Sequence, residues 1–269
     1  MGNKECIAMV LAGGRGTRLG ALTSCMAKSA IFYGGSHRII DFTLSNCSHS
    51  GIDVVGVLTQ YLSDELHCHI GDGSAWNMPG PGRGVFTLPS EKTGGAYRGT
   101  ADAVYRNIDF IERFAPEYVC VLAGDHIYRM DYAEMLDVHK KNDADVTIAS
   151  VPFSSLSTAS GPASSSESRR YGIISADENG RIFGFEEKTE QKPERMGSDL
   201  APMGVYIFTW KTLRRHLAAD SRRGESRNDF ARDVIPAMLS AGEKLHIFRF
   251  GGYWRDVGTV ESLWESSMD

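Results

Sequence analysis

Four short apolar runs stand out along the chain: "IAMVLAG" (7–13), "DVVGVLTQ" (53–60), "YVCVLAGD" (118–125) and "ADVTIASV" (144–151). Each is almost continuously apolar instead of alternating, the pattern of strands buried on both faces of a parallel sheet. Between them, "RIIDFTLSNCSHSG" and "TADAVYRNIDFIERF" place apolar residues at helical spacing, the second through Ala101, Val104, Ile108, Ile111 and Phe114, with Thr100 as its expected N-cap. Alternation of strand and helix predicts an α/β fold with a mostly parallel sheet and helices on both faces. The later half is less regular. "RIFGFEEK" and "GVYIFTW" read as strands, "NDFARDVIPAMLSAG" as one helix closing on Gly242, and "HIFRF" as a last strand before "GGYWRDVGT". This order suggests an insertion that turns back over one edge of the sheet. "FSSLSTASGPASSSESRR" (153–170) has no periodicity and reads as a flexible surface loop. No internal repeat is present, so residues 1–269 are expected to form one domain.

Composition narrows the class. With 42% hydrophobic and 23% charged residues the chain matches ordinary globular proteins, and no stretch approaches the apolar length of a membrane helix. A net charge of −5 argues against a nucleic-acid partner, because phosphate backbones demand a basic face. Five cysteines (Cys6, Cys25, Cys47, Cys68, Cys120) in no C-x-x-C spacing indicate neither a disulfide framework nor zinc, which fits a reducing, cytoplasmic location. Glycine is raised at 29 residues, a sign of tight turns and close ligand approach.

That excess is concentrated in "VLAGGRGTRL", directly after the first strand. Gly13, Gly14 and Gly16 let backbone N–H groups meet an anion, and Arg15, Arg18 and Lys28 add positive charge. The spacing is neither G-x-G-x-x-G nor G-x-x-x-x-G-K-[ST], so dinucleotide and P-loop readings are excluded. On "GGRG" alone, a glycine-rich turn with solvated arginines explains the residues equally well. Asp125 ends a strand where open α/β sheets bind ligands, and Asp256 lies in a second glycine-flanked turn. Either could merely cap a turn. Two carboxylates beside a phosphate loop point to Mg²⁺, which is held by one or two carboxylates together with substrate phosphates. His67 and His69 in "LHCHIG" would share a face of a strand, lack a third ligand, and read as structural; His126 could orient Asp125.

The motifs "LAGGRGTRL", "RIIDFTLSNC", "YRGTADAV", "LAGDHIY", "DFARDVIP" and "YWRDVGT", in this order and over nearly the whole chain, resemble bacterial glucose-1-phosphate adenylyltransferases (ADP-glucose pyrophosphorylases). The resemblance implies a Rossmann-like nucleotidyltransferase fold and the conversion of ATP and glucose 1-phosphate to ADP-glucose and pyrophosphate, for α-glucan synthesis. It implies that Gly13, Gly14, Arg15 and Gly16 hold the ATP phosphates, with Gln60, Tyr97, Gly99 and Thr100 on the nucleotide side. Arg18, Lys28 and Asp125 are implied as catalytic, and Asp125 and Asp256 as the Mg²⁺ ligands. Gly172, Glu187, Lys188, Tyr206, Asp229 and Trp254 are implied around the sugar phosphate.

The chain departs from the family pattern at Ser29, Thr189 and Pro202, and it carries Cys25 where some regulated relatives have an activator-binding lysine. The family's C-terminal β-helix domain is expected to be absent, and a homo-oligomer or a hetero-oligomer with a related subunit is expected if the full architecture is present. A dTTP- or UTP-using enzyme and a non-catalytic regulatory subunit are the competing readings.

Overall fold

The computed structural model describes residues 4–153, 171–187 and 200–269. The Ser-rich segment of residues 154–170, Lys188 and Thr189 lie outside the described residues. In chain order the strands are β1 Cys6–Leu11, β2 Phe32–Tyr33, β3 His37–Arg38, β4 Val54–Thr59, β5 Gly84–Pro89, β6 Tyr118–Ala123, β7 His126–Tyr128, β8 Val146–Pro152, β9 Ile173–Ala176, β10 Ile182–Glu186, β11 Leu200–Thr209, β12 Leu245–Arg249 and β13 Trp254–Asp256. Among the described residues, nine of them make one sheet whose main path runs β5, β4, β1, β6, β11, β8, β12, with β9 and β10 joined at the start of β11.

The four apolar runs are strands. β5, β4, β1 and β6 pair in parallel, with Ala8 opposite Val55 on one side and Cys120 on the other. β11 is antiparallel to β6 and to β8. It enters the middle of the sheet, so the expected turn back over one edge is corrected: the local pattern marks a strand, while its place depends on partners far along the chain. A register shift between Pro202 and Tyr206, with Gly204 left-handed at φ 70°, bends this strand where it passes the site.

Both sheet faces are covered. Ala8, Val10, Val55, Val57 and Leu122 face helices Ile39–His49, Asp64–Ile70 and Tyr132–Lys141. Ile7, Met9, Val119, Val121 and Ile148 face helices that include Trp210–Asp220 and Ile235–Ser240. This two-sided burial is why the strands read as unbroken apolar runs. Helix Ile39–His49 starts where Arg38 N donates to Asp41 Oδ2 at 2.8 Å. Among the described residues no helix is long and apolar enough to cross a membrane.

Three local expectations change. The helix expected from Thr100 is two, Thr100–Tyr105 and Ile108–Glu112, broken at Asn107, whose side chain donates to Ala103 O and to the Tyr97 hydroxyl. Gly99, not Thr100, takes the cap position. The helix expected over 228–242 opens as a wide π-type turn, Phe230–Val234, before Ile235–Ser240. His67 and His69 lie on a helix, where Nε2 of His67 pairs with Thr59 Oγ1 at 2.7 Å and Nε2 of His69 with Asp41 Oδ1 at 2.5 Å. Both rings are thus engaged by side chains of the protein, on a helix instead of the expected strand.

Candidate active site

The glycine loop follows β1. Ala12 N still donates to Leu58 O at 3.0 Å, so the chain leaves the sheet only at Gly13. A Cβ on Gly13 would lie 3.2 Å from Gln60 Cβ, whereas nothing lies within 4 Å of one on Gly14. Gly16 is left-handed at φ 61°, and a Cβ there would press on Thr23 and Lys28 at 2.9 and 3.0 Å. Glycine is therefore required at residue 16 by backbone and packing together. Arg15 is exposed and lies over the Tyr61 ring at 5.5 Å. Arg18 reaches the turn after β13: a Cβ on Gly258 would come 2.7 Å from Arg18 Nη2 and 3.0 Å from Asp256 Oδ1.

The two aspartates are neighbours because β7 and β13 form a short antiparallel ribbon that sets Asp256 opposite His126. Gly124 permits this by lying against β1, where a Cβ would meet Val10 Cγ1 at 2.8 Å. Lys28 Nζ donates to Asp125 Oδ2 at 2.8 Å and to Asp256 Oδ1 at 3.2 Å, with only 7% of the lysine side chain exposed. Burial alone would raise the Asp125 carboxyl, but the charges of Lys28 and His126 offset it and hold it below its ordinary value. The same balance, with Arg18 added, brings Asp256 down to about 2. For Lys28 burial pulls downward, and the two carboxylates overcome it and raise the ammonium. All three groups are charged at neutral pH.

His126 Nε2 lies 3.6 Å from Asp125 Oδ1 and 3.8 Å from Asp256 Oδ1. Its ring stands perpendicular to Trp254 with centroids 5.3 Å apart. Among the described residues, His126 Nδ1 and Trp254 Nε1 are the buried side-chain atoms that have no hydrogen-bond partner.

A cavity of about 490 Å³ opens beside this cluster, lined by Gly13, Gly14, Gln60, Tyr97, Gly99, Thr100, Asp125, His126, Tyr206 and Asp229 among others. Gln60 Oε1 accepts from Tyr97 N at 2.5 Å, which leaves its NH₂ group to meet a ligand. Arg15, Gly16, Arg18, Lys28, Gly172, Glu187, Trp254 and Asp256 are not part of this lining, and of the Lys28 cluster Asp125 is the member that reaches it. Gly172 and Glu187 are mutual neighbours, since a Cβ on Gly172 would lie 2.9 Å from Glu187 Oε2. Burial, then the charges of Asp229 and Glu187, raises the Tyr206 hydroxyl, and Tyr206 and Asp229 both line the cavity.

Sequence reasoning missed Gly204, Phe230 and Ala103 in the lining, and the use of Gly258 by Arg18. The glycines stood inside "PMGVY" and "RDVGT" and could have been questioned; nothing marked Ala103.

No group of three or more His, Cys, Asp and Glu side chains with metal-binding geometry occurs among the described residues. Asp125 and Asp256 nevertheless share one cation, the Lys28 ammonium, and present hard oxygen donors beside the cavity that Asp125 lines. That donor set fits a divalent cation completed by substrate oxygens.

The nucleotidyl transferase family model matches residues 7–269. The chain is 53% identical over its full length to a glucose-1-phosphate adenylyltransferase of Clostridium acetobutylicum, spanning 68% of that protein. It is 51% identical over 99% of its length to one of Ruminiclostridium cellulolyticum, of which it spans 60%. To one of Clostridium beijerinckii it is 50% identical over its full length, spanning 67%. The matches extend over essentially the whole chain, and on that basis the chain belongs to the nucleotidyl transferase family, in its glucose-1-phosphate adenylyltransferase branch.

Proposed function

We propose that this chain transfers the adenylyl group of ATP to glucose 1-phosphate, giving ADP-glucose and pyrophosphate. The observation that carries the reading is the Lys28 ammonium held between Asp125 and Asp256 at the edge of a cavity that begins at Gly13 and Gly14.

A sugar phosphate is already largely dianionic at neutral pH, its second pKa lying near ~6, so no residue has to remove a proton from the nucleophile. A phosphate oxygen attacks the α-phosphorus, the new P–O bond forms, and the bond to the β-phosphate breaks with pyrophosphate leaving. The difficulty is bringing anions together, and the protein's work is alignment and charge neutralisation. Backbone N–H groups at Gly13 and Gly14 receive the nucleotide phosphates, and Lys28 and Arg18 supply fixed positive charge. Asp125 and Asp256 would hold a divalent cation, Mg²⁺ in this reading, which when bound neutralises the reacting phosphates and keeps them in line. Gln60 offers its amide to the nucleoside. Tyr206 and Asp229 line a wall suited to sugar hydroxyls, and Glu187 lies beside Gly172. Retention of Arg18, Lys28 and both aspartates supports a catalytic chain over a non-catalytic subunit.

The test is pyrophosphate release from glucose 1-phosphate with Mg²⁺ and each of ATP, dTTP, UTP and CTP. Release chiefly with ATP is expected. A preference for dTTP or UTP overturns the choice of base, and no release from folded protein with any nucleotide overturns the activity.

A further inference from the structure

Thr100 lines the cavity, yet its hydroxyl is used within the protein. It donates to Asp229 Oδ2 at 3.1 Å and accepts from Phe230 N at 3.0 Å. A hydroxyl carries one hydrogen, so none remains for a phosphate or a ribose oxygen. The other Asp229 oxygen, Oδ1, accepts from Ala231 N and Arg232 N at 3.0 and 3.1 Å and caps the π-type turn. Oδ2 is therefore the oxygen with acceptor capacity to spare on this cavity wall, and Thr100 fixes its orientation.

The backbone makes the joint rigid. Gly99 lies so close to the next segment that a Cβ would stand 2.3 Å from Asn228 O and 2.5 Å from Arg227 O. Ala101 N donates to Asn228 O at 2.8 Å, and Asn228, left-handed at φ 55°, is tied by Nδ2 to Asp220 Oδ2 at 3.1 Å. The turn bearing Thr100 and the turn bearing Asp229 are thus one body.

Asp229 shares the cavity lining with Tyr206. A carboxylate there repels a triphosphate and accepts hydroxyl hydrogens, which suits the polyhydroxylated substrate. We propose that Thr100 is a positioning residue for the sugar phosphate, aiming the Asp229 carboxylate at its hydroxyls, and that it acts on that substrate and not on the nucleotide. This rests on the reading given under Proposed function.

The test is calorimetric binding to the whole chain in Mg²⁺. α,β-Methylene-ATP is titrated alone, and glucose 1-phosphate is titrated in its presence, for wild type, Thr100→Val and Thr100→Ser. Valine keeps the shape but leaves Asp229 Oδ2 and Phe230 N short of a partner, so glucose 1-phosphate binding weakens about tenfold while the ATP analogue changes less than about twofold. Serine restores the hydroxyl and brings sugar-phosphate binding back to within about threefold of wild type. Equal weakening of both ligands, unchanged sugar-phosphate binding in Thr100→Val, or failure of serine to restore it overturns the proposal. Thr100→Ala gives the same contrast if the valine variant does not fold, as judged by its melting curve. Wild type that binds the ATP analogue and no glucose 1-phosphate overturns the functional reading itself, a pattern separate from any Thr100 effect.

Discussion

Lys28 and Asp125, 97 positions apart in the chain, meet through a 2.8 Å bond from Nζ to Oδ2. The lysine comes from a short 3₁₀ turn, Lys28–Ala30, and the aspartate from the turn between the central strand β6 and β7. Because Asp256 takes a second bond from the same ammonium, loss of the lysine leaves two carboxylates facing each other and removes a cation from the reacting phosphates. Lys28→Met is expected to lower kcat by about 10²–10³-fold. Steady-state rates, with a melting curve to show that the variant folds, check this; a rate near wild type would remove Lys28 from the chemistry.

Gly258 gives Arg18 its place beside Asp256. Gly258→Ala displaces the guanidinium or the carboxylate, and kcat is expected to fall about tenfold or more, the cost of misplacing a charge at the reacting centre. Gly251→Ala, in the same region with nothing within 4 Å of its added Cβ, serves as the control and is expected to keep the wild-type rate.

Two glycines of the cavity differ in kind. A Cβ on Gly99 would collide with backbone carbonyls of Arg227 and Asn228, so Gly99→Ala is expected to cost about 2 kcal/mol or more of stability. A Cβ on Gly14 has nothing within 4 Å, so Gly14→Ala keeps its melting temperature and instead weakens ATP binding by occupying space that phosphates approach. Thermal melts and nucleotide titrations separate the two outcomes.

His139 carries a pH dependence remote from the site. Thr209 Oγ1 donates to Ala144 O at 2.9 Å, so it accepts from His139 Nε2, and Thr147 Oγ1 donates to Nδ1 at 2.9 Å. This fixes the neutral ring with its hydrogen on Nε2. Burial lowers its pKa to about 4, against the partial pull of Asp145 and Asp143 upward, while His246 and Lys140 reinforce the drop. The unfolded chain, with histidine near ~6.5, binds the proton first, so the stability contributed is complete above about pH 6.5 and is lost as pH falls toward 4. His139→Gln is expected to flatten the melting temperature across that range. An unchanged pH slope in the variant would contradict the assignment.

Much of this architecture is legible in the residues. β1, β4 and β6 announce themselves because burial on both faces leaves no polar alternation. The glycine loop, Lys28, Asp125 and Asp256 are likewise visible as chemistry. What is not legible is the placement of partners. β7 and β13 have three residues each, too few for any period, yet they bring Asp125 and Asp256 together. β11 shows its strand character in "GVYIF", but its position between β6 and β8 depends on pairings about 50 to 90 residues away. Asn107 breaks a helix whose apolar spacing continues through it, because its side chain competes for Ala103 O.

The central claim is that transfer occurs at the cluster of Lys28, Asp125 and Asp256. Its most direct measurement is the rate of ATP-dependent pyrophosphate release with glucose 1-phosphate and Mg²⁺ for wild type, Asp125→Asn and Asp256→Asn, each checked for folding. The account predicts turnover by wild type and a loss of about 10²-fold or more in each variant, since each asparagine removes a negative ligand while keeping the shape. Folded variants that release pyrophosphate at the wild-type rate would contradict it.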